Sequence, residues 1–372
     1  MEYFKLEGLN EDDTIVIYGN GKTGKLLQAF FERYNYRNKI YIALSDDENV
    51  RESNEYWIHD IKKVCSKPYV VIATIVEKYA QEMILETEKD GYRYYALSTK
   101  DVLEIERSMP RMQIGFEVHV TEHCNLNCTG CTHFSPIAKT NYLDVKEWKN
   151  DCKRMYELYG DDVLEVRLLG GEPLLHPNLP EIMNVTRDFF KNAQIIILTN
   201  GIMLKRMSTS FWDSVKRNSV KIMTTRYPIN INYDSIKQFV EDKNIEYGEW
   251  EMESDNNGDK VLENYHLDIE GKQNGLESLR KCIRANFCLT LKHGKLYTCT
   301  IAAHMHHMKE FFSLEHMNIE EKNGISIYEA KDKYEISEFL VNEIPACRYC
   351  DIRESVTYIP YTTSRKKMEE WL

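Results

Sequence analysis

The sequence predicts an α/β protein in three parts: a small β/α domain over 1–108, a larger β/α core over 112–280, and a cysteine-rich extension over 281–352 with a tail at 353–372. Three observations predict it. Short β-branched runs alternate with amphipathic helical segments twice over, with a restart near 112, which argues for two parallel-sheet units. Strands of the second unit run straight into polar, glycine-bearing or cysteine-bearing stretches, as strand ends that carry chemistry do. The ten cysteines are clustered rather than spread.

In the first unit, "TIVIYG" (14–19) reads as a buried strand and "NGKTGKLLQAFFERY" as a helix with apolar spacing at Leu26, Leu27, Phe30 and Phe31. "KIYIALSDD" (39–47) and "YVVIAT" (69–74) are further strands, and the helix "EKYAQEMILETEKDG" leads to the short strand "YRYYAL". Gly19, Gly21 and Gly24 form G-x-G-x-x-G between strand and helix, the layout of a dinucleotide-binding, Rossmann-like turn. Asp46 and Asp47 follow at the distance of a ribose-binding acid. Either the turn brings backbone N–H groups to a phosphate, or the glycines only allow a tight turn in a scaffolding or partner-docking unit.

The second unit begins with the alternating strand "IGFEVHVTEHC" and continues through helix "VKEWKNDCKRMYELYG", strand "LEVRLLGGEPLLHP", helix "NLPEIMNVTRDFFKNA" and strand "QIIILTNG". Helix "STSFWDSVKRNS", strand "VKIMTTRYP", helix "INYDSIKQFVEDKN" and "IEYGEWE" complete a run of βα repeats suited to a partial or full β/α barrel. Residues 250–280, rich in Asp, Asn and Gly, read as a loop region.

Composition narrows the function. A net charge of −11 argues against a grip on nucleic-acid phosphates. No run of about 18 uncharged apolar residues predicts a membrane span, and "MEYFKLEGLNEDD" lacks the layout of a secretory signal. A cytoplasmic location is therefore expected. In a reducing compartment, clustered cysteines point to metal ligation or catalysis rather than disulfides. Cys65 and Cys152 stand apart and read as small buried residues.

Cys124, Cys128 and Cys131 sit in "CNLNCTGC", spaced C-x3-C-x2-C. Zinc sites favour paired C-x2-C knuckles that close a tetrahedron, with His123 or His133 as possible completing ligands here. Iron–sulfur clusters take four thiolates when complete, so three leave one iron open. This loop, followed by Gly170-Gly171-Glu172-Pro173 at the end of the next strand and "LTNG" (198–201) at the end of a third, resembles the radical S-adenosylmethionine (radical SAM) superfamily over about 112–352. The resemblance implies a partial (β/α)6 barrel in which Cys124, Cys128 and Cys131 ligate a [4Fe–4S] cluster whose fourth iron is chelated by S-adenosylmethionine. It also implies that Gly170, Gly171, Glu172 and Pro173 bind the SAM amino group and that Asn200 contacts the ribose. Arg226, at the end of the following strand, faces the same rim, where it either reaches the SAM carboxylate or the substrate or forms an ordinary surface salt bridge. Gly130 departs from the family pattern, which has an aromatic residue there; Phe134 is the neighbour expected to supply that surface.

Cys282, Cys299, Cys347 and Cys350 resemble the SPASM/twitch extensions of radical SAM enzymes, two ligands around the hairpin "CLTLKHGKLYTC" and two on a later turn. That likeness implies a second, auxiliary [4Fe–4S] cluster with no open iron, Cys288 being the alternative to Cys282. A zinc ribbon is the competing reading. The short twitch form resembles that of the aminocyclitol dehydrogenase of butirosin biosynthesis, which oxidises a secondary alcohol to a ketone. The resemblance thus implies reductive cleavage of SAM to a 5′-deoxyadenosyl radical. That radical abstracts hydrogen from a sugar, cyclitol or nucleotide-sugar-like molecule for oxidation or epimerisation, with flavodoxin or ferredoxin as electron donor. A SPASM-type peptide maturase and a non-catalytic iron–sulfur or zinc protein are the alternatives. "HMHHM" (304–308), after the hairpin, is expected in a surface or cap role, the alternative being a reach into the substrate cavity or a part in proton transfer.

Overall fold

A computed structural model describes residues 4–45, 55–252, 254, 261–282, 284–317, 322–352 and 357–372. Asp46 and Asp47 lie outside the described residues. The chain divides into two compact units, Met1–Met109 and Pro110–Leu372.

In the first unit β1 (Thr14–Tyr18), α1 (Lys22–Arg33), β2 (Ile40–Leu44), β3 (Glu55–Trp57), α2 (Ile61–Val64), β4 (Pro68–Ile72), α3 (Glu77–Lys89), β5 (Arg93–Ala96) and α4 (Thr99–Ser108) follow in order. The strands form an all-parallel sheet in the order β3-β2-β1-β4-β5, that of a nucleotide-binding half. β1 is almost continuously apolar because both of its faces are covered, Ile15 and Ile17 by α1 and α4, Val16 and Tyr18 by the opposite layer. Gly24 has no alternative, since a Cβ there would lie 2.0 Å from the Gly19 carbonyl oxygen. Gly21 is open, with nothing within 4 Å of an added Cβ. β3 and α4 had no clear sequence signal, β3 being three residues long and α4 resting on a Ser98–Asp101 capping box.

The second unit alternates β6 (Ile114–Thr121), α5 (Val145–Tyr159), β7 (Val163–Gly170), α6 (Leu179–Phe189), β8 (Gln194–Thr199), α7 (Thr209–Arg217), β9 (Val220–Arg226), α8 (Tyr233–Glu241) and β10 (Tyr247–Glu251). Then come β11 (Val261–Asn264), α9 (Gly275–Lys281), β12 (Thr290–Lys292), β13 (Lys295–Tyr297), α10 (Thr300–His304), α11 (His306–Phe312), β14 (Gly324–Ser326), α12 (Lys333–Leu340) and β15 (Thr357–Pro360). Residues 250–280, expected as loop, thus hold a strand and a capped helix, with Asn274 accepting from Glu277 N–H at 3.1 Å.

The sheet order is β10-β9-β8-β7-β6-β12-β13-β14. Its first six strands are parallel, a partial β/α barrel, and β12–β14 continue it as an antiparallel meander. Ile114, Phe116, Val118 and Val120 of β6 face the helix layer, packed with Trp148 and Met155 of α5 and Ile182 of α6. By alternation Glu117, His119 and Thr121 face the other way, into the barrel. This places polar side chains on the concave side and directs the end of β6 into the three-cysteine loop.

Candidate functional site

The loop after β6 holds its sulfurs by its own backbone. Leu126 N–H donates to the Cys124 sulfur at 3.3 Å, and the amides of His133, Phe134 and Ser135 point at that of Cys131. Asn127 at φ 54° and Gly130 at φ 59° make the tight turns. Burial pushes the Cys124 thiol up to about 12 and raises those of Cys128 and Cys131 as well, and the neighbouring sulfurs add to the rise for Cys124 and Cys128. Three converging thiols that resist ionisation suit a group whose own positive charge holds the thiolates.

Gly170 and Gly171 let the end of β7 press against that loop. A Cβ on Gly170 would meet the Thr121 carbonyl oxygen at 2.1 Å, and one on Gly171 the His123 carbonyl oxygen at 2.0 Å and the Cys124 nitrogen at 2.8 Å. The contact is hydrogen-bonded: Gly171 N–H donates to Thr121 O at 2.9 Å and Glu172 N–H to His123 O at 3.0 Å. Glu172 is fully buried, and its carboxylate accepts from Thr199 Oγ1 at 2.6 Å, Asn200 N–H at 2.9 Å and Leu174 N–H at 3.1 Å. Burial outweighs these donors and pushes its pKa up to about 7. The side chain thus ties the ends of β7 and β8 together, and Pro173 begins a buried turn beside it. Asn200 Nδ2 donates to Asn125 Oδ1 at 2.8 Å and lies 3.8 Å from the Cys124 sulfur. Arg226 at the end of β9 forms ion pairs with Glu249 at 3.0 Å and Asp234 at 2.9 Å.

Phe134 does not cover the gap at Gly130. It is buried, stacked with Trp371 at 6.1 Å between centroids. A Cβ on Gly130 would instead meet Ile359 at 2.9 Å, Asn264 at 3.0 Å and the Glu370 carbonyl at 3.1 Å. The aromatic rings nearest the thiols include Tyr227 and Tyr361, whose centroids are 5.7 Å apart. The Tyr227 phenol is pushed well up by burial and then by all three sulfurs and Glu172.

A second set gathers Cys282 at the end of α9, Cys299 at the cap of α10, and Cys347 and Cys350 on the turn after α12. The hairpin between β12 and β13 turns at His293 and Gly294, φ 46° and 68°. Burial raises Cys299, Cys347 and Cys350, and Cys282 adds to the rise in each. Cys288, buried under Arg284 and Glu117, adds only to Cys299 among these three. Among the described residues, the one group of three His, Cys, Asp or Glu atoms drawn within 4.8 Å of one another is His119–Glu122–His304. A tetrahedral zinc with sulfur at about 2.3 Å would bring its ligands within roughly 4 Å of each other. No three atoms of either cysteine set are drawn within 4.8 Å of one another among the described residues.

Sequence reasoning missed the polar assembly inside the barrel. Glu122 accepts from Lys292 at 2.9 Å and from His307 at 2.7 Å, and His304 Nδ1 lies 3.1 Å away. His119 stacks on His304 at 3.5 Å and meets His133 at 2.7 Å. His304 is fully buried and His307 nearly so, against the surface or cap role expected for "HMHHM". Burial lowers His119, His133 and His304 below the usual imidazole range, and takes His306 down to about 3. Glu122 keeps its charge against burial through the surrounding histidines and Lys292. Lys292 Nζ lies 2.9 Å from Glu122 and 3.0 Å from His304 Nδ1, two of the three groups that cluster there.

Comparison with known proteins gives the following. Residues 118–226 match the model of the radical SAM superfamily. A GTP 3′,8-cyclase of Chlorobaculum tepidum is 38% identical over 89 residues, 24% of this chain and 26% of that one. The antilisterial bacteriocin subtilosin biosynthesis protein AlbA of Bacillus subtilis is 25% identical over 123 residues, 33% of this chain and 25% of that one. The chain spans about a quarter of the length of each. Among solved structures, BtrN in complex with AdoMet and 2-DOIA is 16% identical, with TM-score 0.41 over 66% of this chain and 96% of that chain. No helix among the described residues is long and apolar enough to cross a membrane.

Proposed function

Residues 118–226 match the model of the radical SAM superfamily, and from that match we propose that the whole chain is a radical SAM enzyme acting on a sugar, cyclitol or nucleotide-sugar-like molecule, by oxidation or epimerisation. The family implies a [4Fe–4S] cluster and S-adenosylmethionine. The observation that carries the reading is the three-sulfur loop, strapped by Gly170–Glu172 and backed by Asn200. Cys124, Cys128 and Cys131 would hold the cluster, which with SAM supplies a 5′-deoxyadenosyl radical for hydrogen abstraction. Gly170 and Gly171 fix the first cysteine, and Glu172 fixes the β7 and β8 ends around it. Because the Glu172 carboxylate is engaged inside the protein, the SAM ammonium would be met chiefly by backbone carbonyls of this strap.

Cys282, Cys299, Cys347 and Cys350 would hold the auxiliary cluster, a group able to take the electron that a net oxidation leaves behind. What supports a hydroxyl-rich substrate is the charged and polar lining of the barrel: Glu117 within 3.6 Å of Arg167, and the Glu122–Lys292 pair beside His119, His304 and His307. A flavodoxin or ferredoxin would serve as reductant. Anaerobic reconstitution, with iron and sulfide counted and 5′-deoxyadenosine followed by chromatography, tests the proposal. About eight irons with SAM cleavage are expected; zinc without cleavage would overturn it. Deuterium transfer from candidate polyols into 5′-deoxyadenosine tests the substrate class, and transfer only from a peptide would favour a maturase.

A further inference from the structure

The inner side of the barrel holds a third group of ligand-type side chains, outside both cysteine sets. We propose that His119, Glu122 and His304 form a binding site for one divalent transition-metal ion of the zinc class, with one coordination position left to water or another small oxygen ligand.

Three elements bring the groups together. His119 points into the barrel from β6, Glu122 follows the end of that strand, and His304 ends α10. The Glu122 carboxylate lies 3.1 Å from His304 Nδ1 and 3.6 Å from His119 Nδ1, and the three ligand atoms all fall within 4.8 Å of one another. A tetrahedral ion with nitrogen and oxygen ligands at about 2.0–2.1 Å sets those ligands roughly 3.3–3.4 Å apart. The two measured separations bracket that spacing. Two imidazoles and one carboxylate are the mixed donors that zinc takes, and three protein ligands leave its fourth position open.

The surroundings suit an ion better than they suit the side chains alone. The His119 side chain is 1% exposed, yet its Nδ1 has no hydrogen-bond partner. Its other nitrogen, Nε2, lies 2.7 Å from His133 Nδ1. The proposal assigns the shared proton to His119 Nε2, which leaves the Nδ1 lone pair facing the carboxylate, two acceptors that a cation between them would join. Outer partners of this kind fix the tautomer of a ligating histidine. Glu122 is held in the same way, accepting from His307 Nε2 at 2.7 Å. The His119 and His304 rings are nearly parallel, 15° apart, so binding tilts one of them toward the ion. Lys292 is the competitor. Its Nζ lies 2.9 Å from Glu122 and 3.0 Å from His304 Nδ1, and an ion ligated by His304 displaces the ammonium from that nitrogen.

The test uses the full, anaerobically reconstituted chain, given Zn2+ and desalted. Bound zinc is counted and its ligand shell read by zinc-edge X-ray absorption, while iron and sulfide counted in the same sample report on the cysteine sets separately. About one zinc per chain should be retained, in a nitrogen and oxygen shell at about 2.0–2.1 Å. H119Q and E122Q should each lose it. K292M should bind zinc on the order of tenfold more tightly than the wild type, a gain that a misfolded chain cannot give. A shell of sulfur alone at about 2.3 Å would overturn the proposal. So would zinc retained equally by H119Q and E122Q, or binding in K292M no tighter than in the wild type.

Discussion

The two cysteine sets are built in opposite ways. Cys124, Cys128 and Cys131 lie within one eight-residue loop, and other parts of the fold supply only support: the Gly170–Gly171 strap, Asn200 and residues 357–372. Cys282, Cys299, Cys347 and Cys350 come from the end of a helix, the cap of another and a turn beyond a third, so the fold itself gathers the ligands. The difference teaches where each set should be sensitive. Under the proposed function, a contiguous set of three would leave a coordination position open and depend on how the loop is held. A gathered set of four would be closed, its integrity depending on the packing of α9, α10 and α12.

The largest effect follows from the open set. Changing Cys128 to Ala should remove about four irons and reduce 5′-deoxyadenosine to background, while the auxiliary cluster's spectrum persists. Retained cleavage would erase the distinction between the sets. A Cys299→Ala change should also cost about four irons, yet leave SAM cleavage without substrate measurable, because the opening for SAM lies in the other set. The comparison sharpens further at Cys282 and Cys288. Cys282 adds to the raised pKa of Cys299, Cys347 and Cys350, whereas Cys288 does so for Cys299 alone. Iron counts should therefore fall in Cys282→Ala and hold in Cys288→Ala.

The same contrast explains what was legible in the sequence. C-x3-C-x2-C is readable because its ligands are neighbours, and "GGEP" and "LTNG" because each ends a strand of strong apolar pattern. The roles of those residues were less legible. Gly170 and Gly171 were expected against SAM, and the structure shows them first against the carbonyls of Thr121 and His123. The Trp371–Cys131 bond joins residues 240 apart, and the Lys292–Glu122 pair joins β12 to the loop after β6. Contacts of that reach leave no local periodicity. "HMHHM" misled because α10 and α11 are short, and a five-residue helix shows no apolar face from which burial could be read.

Glu172 offers a more modest effect, on stability. Its carboxyl is raised from the ordinary 4.5 to about 7, with burial the leading cause. A carboxyl raised on folding favours the folded state when protonated. Its contribution is complete below pH 4.5, declines as pH rises toward 7, and is lost above. Integrated over that window it amounts to about 3 kcal/mol. Thermal melting of the metal-free protein between pH 5 and 8 should show a decline that E172Q lacks. Parallel curves would mean that the three donors to Glu172 keep it ionised throughout.

Arg226 should give the smallest effect. Its guanidinium lies over the Tyr233 ring at 5.6 Å and pairs with Glu249 and Asp234, and it is only partly buried. Ion pairs of this exposure contribute about 0–1 kcal/mol, so Arg226→Ala should leave the melting temperature nearly unchanged. Its two carboxylate partners already neutralise the charge that a SAM carboxylate would need. The KM for SAM in R226A should then rise by less than about fivefold, the equivalent of roughly 1 kcal/mol. A tenfold or greater rise with unchanged melting would show that Arg226 leaves Glu249 or Asp234 when SAM binds, and would extend the open site from the cysteine loop to the end of β9.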